Sequence, residues 1–406
     1  MKLKIKKMIT SENCYTLLFM VVVCRLCLFD YFRAAIYKIP LISEFSPLFF
    51  PLLFAFLIYK SGLWRKLLQV KRTSFLIVSF FTSAVFISCV FYPQNADFIL
   101  NADSNGQVRI FTHILPCILY YFLGEHFEPT EKRTRSIAIC SCISIAVSFA
   151  YLSYYLNSRA LVGDDMAASY ALLLASLVVT NQALKEKKLC YFIFAVLGMV
   201  YALMMGTRGP VVILLCFWLV GSIYYSSKRM SRRIIVLVVL ISAMLILVYS
   251  PLWMMLLKWI NIQLAQAGFT TRVIDSMLKG VSLENSSGRD TIYETLLALI
   301  DQRPILGYGV YGEWQFTGYS AHNIYIEAIF QYGVLVGTGM ILAMMIGYAK
   351  AFNFKENTCA NQWLLILGCF VFVRGIFGGE ILDWPMAFLV GFIVNKASIS
   401  RRISIE

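Results

Sequence analysis

Residues 189–226 read LCYFIFAVLGMVYALMMGTRGPVVILLCFWLVGSIYYS, which is two apolar runs separated by Gly206-Thr207-Arg208-Gly209-Pro210. A helix needs about 20 mostly apolar residues to cross the hydrocarbon core of a bilayer, and each run approaches that length. Pro210 is suited to the first turn of the second helix, because the backbone N–H groups of that turn form no hydrogen bond within the helix and proline lacks this group. The stretch therefore predicts two membrane-spanning helices joined by a short hairpin.

The rest of the chain is also rich in apolar residues and poor in charged ones. Of its 406 residues, 59% are hydrophobic and only 14% are charged, whereas a soluble domain carries about 25% charged residues. These values exclude a disordered chain, a disulfide scaffold and an ordinary cytosolic enzyme, and they predict an all-α polytopic membrane protein. We predict about twelve spans, with eleven as the alternative, over 13–34, 41–59, 73–92, 108–124, 136–156, 166–184, 189–205, 210–226, 233–250, 322–348, 361–376 and 381–396.

The net charge of +14 would by itself suggest a nucleic-acid partner. If the N-terminus is cytoplasmic, however, 24 of the 36 basic residues fall in cytoplasmic segments. Those segments carry a net charge of +17 and the rest of the chain carries −3. This distribution is the positive-inside rule. The charge therefore indicates orientation in the membrane, with both termini cytoplasmic, and we expect no nucleic-acid partner.

The N-terminus and the cysteines have simple explanations. Basic residues precede the first apolar run, as in a signal peptide. Arg25, Asp30 and Arg33 interrupt that run and no small-residue cleavage site follows, so an uncleaved first span is favoured. The eleven cysteines lie in or beside predicted spans or, for Cys359, in a cytoplasmic loop. They are expected to be small apolar residues without disulfides.

One long connection divides the predicted spans. We expect membrane helices 1–9 in residues 1–250, a long outer loop in residues 251–321, and helices 10–12 with a cytoplasmic tail in residues 322–406. The loop begins with the apolar and aromatic stretch 251–269, which resembles a helix lying along the membrane surface. A thirteenth span is the alternative. A second helix, over 291–302, has one apolar face.

Ionisable residues at the outer rim are candidates for function, because charge is costly inside a membrane. His322 begins the tenth span, where the helix dipole favours an anion and where a histidine can move a proton at neutral pH. Arg208 lies in the hairpin beside another helix N-terminus, and Arg289 begins the loop helix. The alternatives are a solvated histidine, a rim arginine with its head group in water and a helix-face ion pair.

Arg374 lies in the outer part of the eleventh span, where an ion pair with Glu380 or Asp383 is the alternative to a role in binding. Further outer cations are Arg33, Arg109 and Arg159. Several outer arginines, a histidine and two helix N-termini suit a substrate with an anionic phosphate head and a lipid tail. The sequence has no Walker loop, no GxSxG motif and no metal-ligand spacing.

The segment around the long loop resembles the signature region of the O-antigen polymerase/O-antigen ligase superfamily. The likeness covers roughly residues 205–340, and the Thr207-Arg208-Gly209 hairpin resembles an earlier motif of the same family. The residues that carry the likeness are Ser287-Gly288-Arg289-Asp290, Tyr293, Pro304-Ile305-Leu306-Gly307-Tyr308-Gly309, His322-Asn323 and Tyr332-Gly333.

The resemblance implies a GT-C-like membrane glycosyltransferase at the periplasmic face of the bacterial inner membrane, acting without a metal or other cofactor. Its substrates would be oligosaccharides on undecaprenyl diphosphate, with membrane lipid and a chain-length regulator protein as further partners. A polymerase joins repeat units on the carrier, while a ligase transfers the finished chain to lipid A-core. Both share the arginines and the histidine. The Ser-Gly-Arg-Asp helix and the 379–385 segment favour the polymerase over the ligase, because both resemble polymerases more closely.

On this reading His322, Arg289 and Arg208 are catalytic. The two arginines would neutralise the departing diphosphate, and His322 would be the general base or a further donor to the diphosphate. Asp290 and Glu327 are the nearest carboxylates if a base is needed elsewhere. Substrate-binding roles are expected for Arg374, Asn323, Asp290 and Tyr293.

Two rival functions belong to other classes. A lipid-linked-oligosaccharide flippase or other secondary transporter could also have twelve spans, but such folds usually show repeated halves and broken helices that meet at mid-membrane. Here the candidate residues lie at one rim. A purely structural membrane subunit is the third possibility, and it leaves the outer arginines unexplained.

Overall fold

The computed structural model describes residues 10–36, 46–101, 108–157, 166–204, 208–226, 251–266, 278 and 289–403. These residues form helices and connecting segments, with no strand among them. Five of the described helices are long and apolar enough to cross a membrane. They are Arg72–Phe91, Glu131–Ala150, Gly209–Ser226, Ile324–Ala351 and Cys359–Phe377. The predicted class, an all-α polytopic membrane protein, is confirmed.

The helices are numbered here in chain order. Two π-helical turns accompany them: Ile110–Ile114 leads into α6, and Cys369–Val373 joins α15 to α16. The helices are α1 Ser11–Ile36, α2 Ser46–Lys60, α3 Leu63–Leu67, α4 Arg72–Phe91, α5 Pro93–Leu100, α6 Leu115–Glu125, α7 Glu131–Asn157, α8 Met166–Glu186, α9 Leu189–Met204, α10 Arg208–Ser226, α11 Pro251–Gln266, α12 Arg289–Gln302, α13 Glu313–Thr317, α14 Ile324–Ala351, α15 Cys359–Gly368, α16 Arg374–Phe377 and α17 Trp384–Ile403.

Every predicted span except one overlaps at least one of these helices. The exception, 233–250, lies outside the described residues. The tenth span begins at Ile324, two residues later than predicted, because Asn323 adopts an extended conformation and caps the helix. In the long loop, α11 and α12 match the two predicted helices, while the short helix α13 was not predicted.

The chain divides into two compact units, of which the first comprises residues 1–65 and 129–281. Its described part is centred on α8, whose residues 171–183 are all buried. The hydroxyls of Ser176 and Thr180 donate to carbonyls one turn earlier in α8, so burial leaves neither without a partner. A Cβ on Gly198 would lie 2.4 Å from the Ser176 hydroxyl, so the glycine lets α9 approach α8 closely.

The second unit comprises residues 66–128 and 282–406. Its tightest helix contact joins α6 and α17, where a Cβ on Gly124 would lie 2.1 Å from the carbonyl oxygen of Phe388. Gly391 meets the carbonyl of Tyr121 in the same way. Small residues allow such close helix packing in membranes, where dispersion contacts replace the hydrophobic effect as the driving force.

A kink in α14 shapes the second unit near the outer loop. Gly333 has φ +78° and ψ 164° inside the helix, a conformation that favours glycine. The kink leaves the carbonyls of Phe330 and Gln331 free to accept from the backbone N–H groups of Tyr308 and Gly309, both at 2.9 Å. The loop segment that follows Pro304 is therefore bonded directly to the broken turn of α14.

The same loop segment is held on its other side by α4 and α5. The Asn95 amide donates to the Tyr308 carbonyl at 2.9 Å, and the Tyr92 hydroxyl donates to the Gly307 carbonyl at 3.0 Å. The hydroxyl of Ser88 accepts from the N–H of Val310 at 2.8 Å. These contacts fix the chain that leads to α13 and then to His322.

Candidate functional site

His322 lies one residue before the cap of α14. Its φ of +50° is in the left-handed region, which is uncommon for a residue with a side chain. Its Nδ1 atom lies 3.2 Å from the hydroxyl oxygen of Ser320. The backbone therefore turns sharply at His322 and orients the imidazole beside the start of the helix.

Asn323 provides the cap of α14. Its Oδ1 atom accepts from the N–H groups of Tyr325 and Ile326, at 3.0 and 3.2 Å. The sequence predicted a helix N-terminus with free N–H groups for an anion. Two of those groups are satisfied by the protein's own side chain, as is usual for an asparagine cap.

The electrostatic surroundings of His322 favour a neutral imidazole. Burial lowers the pKa of His322 below its ordinary value of 6.5, and the nearby Arg289 guanidinium lowers it further. A neutral ring has one nitrogen that can accept a proton at neutral pH, which is the state a general base needs. The charge of Arg289 thus acts on His322, and the catalytic roles expected for the two residues stay predictions.

Arg289 is the first residue of α12, and this helix is anchored by its apolar face. Leu296 and Ile300 are buried in a cluster with Tyr308, Ala321 and Phe330. This packing holds α12 against the loop and against α14. Asp290 and Tyr293 lie in the first turns of α12, where Asp290 is exposed and Tyr293 is half-buried.

Arg374 forms the ion pair that the sequence offered as the alternative to binding. Its Nη1 atom lies 2.5 Å from Oδ2 of Asp383, and both side chains are largely buried. Its guanidinium also lies 5.5 Å from the centre of the Phe370 ring. A buried charge needs such a partner.

The remaining outer arginines differ in how much of them is described. Arg208 is the first residue of α10 in the first unit, with Pro210 in the first turn as predicted, but its side chain lies outside the described residues. The side chain of Arg33 and all of Arg159 also lie outside them. Arg109 contacts His113 at 3.1 Å and packs over the rings of Phe98 and Trp314.

The structure contains two buried carboxyl groups near Gln331, and the sequence analysis singled out only one of them. Glu327 was named as an alternative base, and Glu313 was not singled out. Both are at most 1% exposed. The side-chain amide of Gln331 donates to both oxygens of Glu313 and to Oε1 of Glu327, at 3.0 to 3.2 Å. The sequence signal was the spacing of Glu327 and Gln331, four residues apart in an apolar span.

Two buried carboxyl groups outside the spans, those of Glu313 and Glu380, have raised pKa values. Burial raises the pKa of Glu313 to about 8, against two weaker opposing hydrogen bonds from its own backbone and from Gln331. Burial and the charge of Asp383 raise the pKa of Glu380, while Arg109, Ser320 and Arg374 lower it. Within the described residues, no three His, Cys, Asp or Glu side chains are grouped as metal ligands would be.

Residues 193–342 match a family model described as O-antigen ligase. This match supports the resemblance to the O-antigen polymerase/ligase superfamily that the motifs of the sequence indicated. Members of this family are membrane glycosyltransferase or ligase enzymes that act on lipid-linked glycans. The matched range contains Arg208, Arg289 and His322, whereas Arg374 lies outside it. No curated protein matches the chain.

Some of the residues that carry the superfamily resemblance have a structural role here. A Cβ on Gly307 would lie 2.6 Å from the backbone N of Gly333, and a Cβ on Gly333 would lie 2.1 Å from the carbonyl oxygen of Ile305. The two glycines therefore allow the loop and the kinked helix to touch backbone to backbone. They support the segment that presents His322.

Proposed function

We propose that this protein is an O-antigen, or surface polysaccharide, polymerase of the GT-C-like type. It joins repeat units carried on undecaprenyl diphosphate at the periplasmic face of the bacterial inner membrane, and both of its termini are cytoplasmic. The observation that carries the proposal is a half-buried His322 with a lowered pKa beside Arg289, in a segment that matches the superfamily. A neutral base and a cation are the two groups that such a transfer needs.

In the proposed reaction, a hydroxyl of the acceptor sugar attacks the anomeric carbon of the donor glycan. The bond from that carbon to the diphosphate oxygen breaks, and its electron pair leaves with undecaprenyl diphosphate. The hydroxyl proton passes to His322. Arg289 and Arg208 neutralise the charge that develops on the leaving diphosphate. A single displacement inverts the configuration of the anomeric carbon.

The proposed binding residues are constrained by the contacts they already make. Asn323 has only its amide N–H groups to offer a sugar, because its oxygen caps α14. Arg374 shares its guanidinium with Asp383, so it would face a ligand as part of an ion pair. Asp290 and Tyr293, in the first turns of α12, complete the proposed set.

An O-antigen ligase is the second candidate, favoured because the family that residues 193–342 match is described as O-antigen ligase. The likeness of the Ser287–Asp290 motif and the 379–385 segment to polymerases supports the first candidate. Deleting the gene separates the two on a lipopolysaccharide gel. Loss of a polymerase leaves core plus one repeat unit, whereas loss of a ligase leaves bare core.

Substitutions test the site in the same deletion strain. Arg208→Ala, Arg289→Ala and His322→Ala are each expected to abolish long chains while membrane protein levels stay normal. Arg208→Lys and Arg289→Lys should also fail, because a lysine cannot make the two-pronged contact of a guanidinium with a diphosphate. Matched controls are His126→Ala and Arg65→Ala, which should leave chain length unchanged. Normal chains in all three alanine variants of the site would refute the assignment.

A further inference from the structure

The turn that follows α12 exposes two large apolar side chains. Ile305 is 73% exposed and Leu306 is 78% exposed, and both lie in residues 304–306, named here the loop tip. The loop tip belongs to a motif that carries the superfamily resemblance, yet the proposed reaction gives neither side chain a role. Two such side chains held in water would be unfavourable, because burying each one stabilises a protein by about 1.5–3 kcal/mol. Their exposure therefore needs a partner.

The loop tip is bonded to α14 directly at the kink. The N–H of Val334 donates to the carbonyl oxygen of Pro304 at 2.7 Å. A Cβ on Gly333 would lie 2.6 Å from the carbonyl carbon of Ile305, so the two backbones touch. The tip is therefore fixed at the level of residues 333–334 of α14 and cannot slide along the helix without losing these contacts.

The part of α14 that continues beyond this contact has an apolar face on the protein surface. Leu335, Leu342 and Ile346 are each more than half exposed, and spacings of seven and four residues place them on one side of the helix. Because α14 is long and apolar enough to cross a membrane, acyl chains are the expected cover for this face. The lipid-facing surface of α14 thus begins next to the residues that bond the loop tip.

The length of α14 sets the depth of the loop tip. Gly333 is 17 residues from Lys350, the basic residue of the last turn, or about 26 Å along a helix. The hydrocarbon core is about 30 Å thick, and a lysine marks its boundary because charge is costly inside it. With Lys350 at one boundary, the loop tip lies within about 4 Å of the other.

We propose that the loop tip inserts the side chains of Ile305 and Leu306 into the edge of the hydrocarbon core, in the leaflet nearer to His322. The partner is the acyl chains of membrane lipid. Residues 301–303, an aspartate, a glutamine and an arginine, are exposed beside the tip and supply the polar rim that such a patch has at the headgroup level. The insertion is shallow, so the backbone of the tip stays where water can satisfy it.

The inference goes beyond the proposed glycosyl transfer and does not depend on it. Its consequence is mechanical. The loop tip is joined through residues 307–321 to His322, and the backbone of this segment is bonded to α14 through Tyr308 and Gly309. Insertion of the tip would therefore hold the chain that leads to His322 at a constant height relative to the lipid headgroups.

A fluorine probe measures the depth of one position at a time. Nonsense suppression places a single trifluoromethyl-phenylalanine in the full-length protein, which then carries one fluorine signal. The purified protein is reconstituted into vesicles of phosphatidylethanolamine and phosphatidylglycerol. Dissolved oxygen concentrates in the hydrocarbon, whereas a charged nickel chelate is excluded from it. The ratio of the two relaxation enhancements therefore reports whether the probe lies in lipid or in water.

Three positions make the comparison. The probe at Leu306 should be relaxed by oxygen about as strongly as the probe at Leu342, an exposed residue of the α14 face. The matched control is Tyr319, which is exposed in the loop before His322. The nickel chelate should relax the probe at Leu306 less than the probe at Tyr319, by about threefold or more.

A charge at the tip gives the second measurement, with the probe at Ile305. Leu306→Glu introduces a carboxylate that avoids the hydrocarbon, so the chelate should relax the Ile305 probe about threefold more strongly. Leu306→Met keeps an apolar side chain and should leave the Ile305 probe unchanged. Both variants should fold, because position 306 is exposed, and size-exclusion chromatography in detergent checks this.

Each outcome supports or overturns the inference. Relaxation of the Leu306 probe mainly by oxygen supports it. Relaxation by the chelate as strong as at Tyr319 overturns it. Protection of the Leu306 probe from both agents also overturns it, because a second copy of the chain or another protein would then cover the tip. An inserted tip in an inactive protein would contradict the proposed function alone, and a water-exposed tip in an active protein would contradict this inference alone.

Discussion

The side-chain amide of Gln331 donates to both carboxyl oxygens of Glu313, at 3.2 and 3.0 Å. Glu313 is fully buried. This contact ties the short helix α13 to the membrane helix α14. Because burial raises the pKa of Glu313 to about 8, the carboxyl group is protonated at neutral pH. The chain leading to His322 is thus held in part by a carboxylic acid.

The first prediction concerns Glu313→Gln and pH. An unfolded glutamate releases its proton near pH 4.5, whereas folded Glu313 retains it up to about pH 8. The folded state therefore binds the extra proton between these values, and stability falls as the pH rises through this window. The glutamine variant has no proton to lose. Its midpoint of thermal unfolding in detergent should equal that of the wild type near pH 4.5 and exceed it increasingly towards pH 8.5.

The control for this prediction is Glu294→Gln, which removes an exposed carboxylate from α12. It should follow the wild-type curve throughout. If the stability difference between Glu313→Gln and the wild type did not change with pH, the protonated state of Glu313 would be wrong.

The second prediction concerns the kink in α14. Gly333→Ala forces an alanine into φ +78° and places its Cβ 2.1 Å from the carbonyl oxygen of Ile305. The backbone conformation alone costs on the order of 1–3 kcal/mol, and the steric clash adds to it. We expect low yield of folded protein, measured by size-exclusion chromatography in detergent, and loss of long chains in the cell.

Gly339→Ala is the matched control on the same helix. Nothing lies within 4 Å of a Cβ at Gly339, and alanine favours a helix over glycine by about 1 kcal/mol. This variant should fold at least as well as the wild type. Equal yields of Gly333→Ala and Gly339→Ala would contradict the role of the kink.

The third prediction concerns the charge of Arg289. Its guanidinium contributes to lowering the pKa of His322, although burial contributes more. Arg289→Gln should therefore raise the pKa of His322 towards 6.5, which a histidine ¹⁵N titration would detect. Arg303→Gln, at the other end of α12, is the control and should leave the titration unchanged. If the pKa of His322 did not rise in Arg289→Gln, the electrostatic effect of Arg289 on His322 would be wrong.

The fourth prediction concerns the ion pair of Arg374 and Asp383. Both side chains are about four-fifths buried, with exposures of 17% and 20%. Removing either partner leaves the other as an unpaired charge that is largely buried. Arg374→Ala and Asp383→Ala should each lower the unfolding midpoint. The free energy of unfolding lost in the double variant should be smaller than the sum of the losses in the two single variants. A double-mutant cycle should give a coupling free energy of about 1–2 kcal/mol, and zero coupling would contradict a structural pair.

The sequence predicted most of the architecture because its signals are local. Apolar runs of nearly 20 residues specify helices without reference to the rest of the chain. Pro304 marks a helix boundary because it lacks a backbone N–H, and Asn323 marks one because its side chain can cap a helix. The pairing of Arg374 with Asp383 followed from the cost of an isolated buried charge. These features needed no knowledge of the packing.

The parts that could not be predicted depend on contacts distant in sequence. Glu313 gave no signal, because its burial arises only when Gln331, 18 residues later, lies against it. The contact of the Ser320 hydroxyl with Nδ1 of His322 depends on the left-handed backbone conformation of His322, which the sequence does not specify. Gly333 was recognised as part of a motif, but the backbone contact that requires it exists only in the folded unit.

The most direct test of the central claim uses the purified protein and the lipid-linked repeat unit extracted from the deletion strain. The account predicts glycans of increasing length that remain on undecaprenyl diphosphate, with one free undecaprenyl diphosphate released for each new bond, and no reaction by His322→Ala. Products of this kind would establish the polymerase. Absence of growth on the lipid carrier, with transfer only when lipid A-core is supplied, would contradict it.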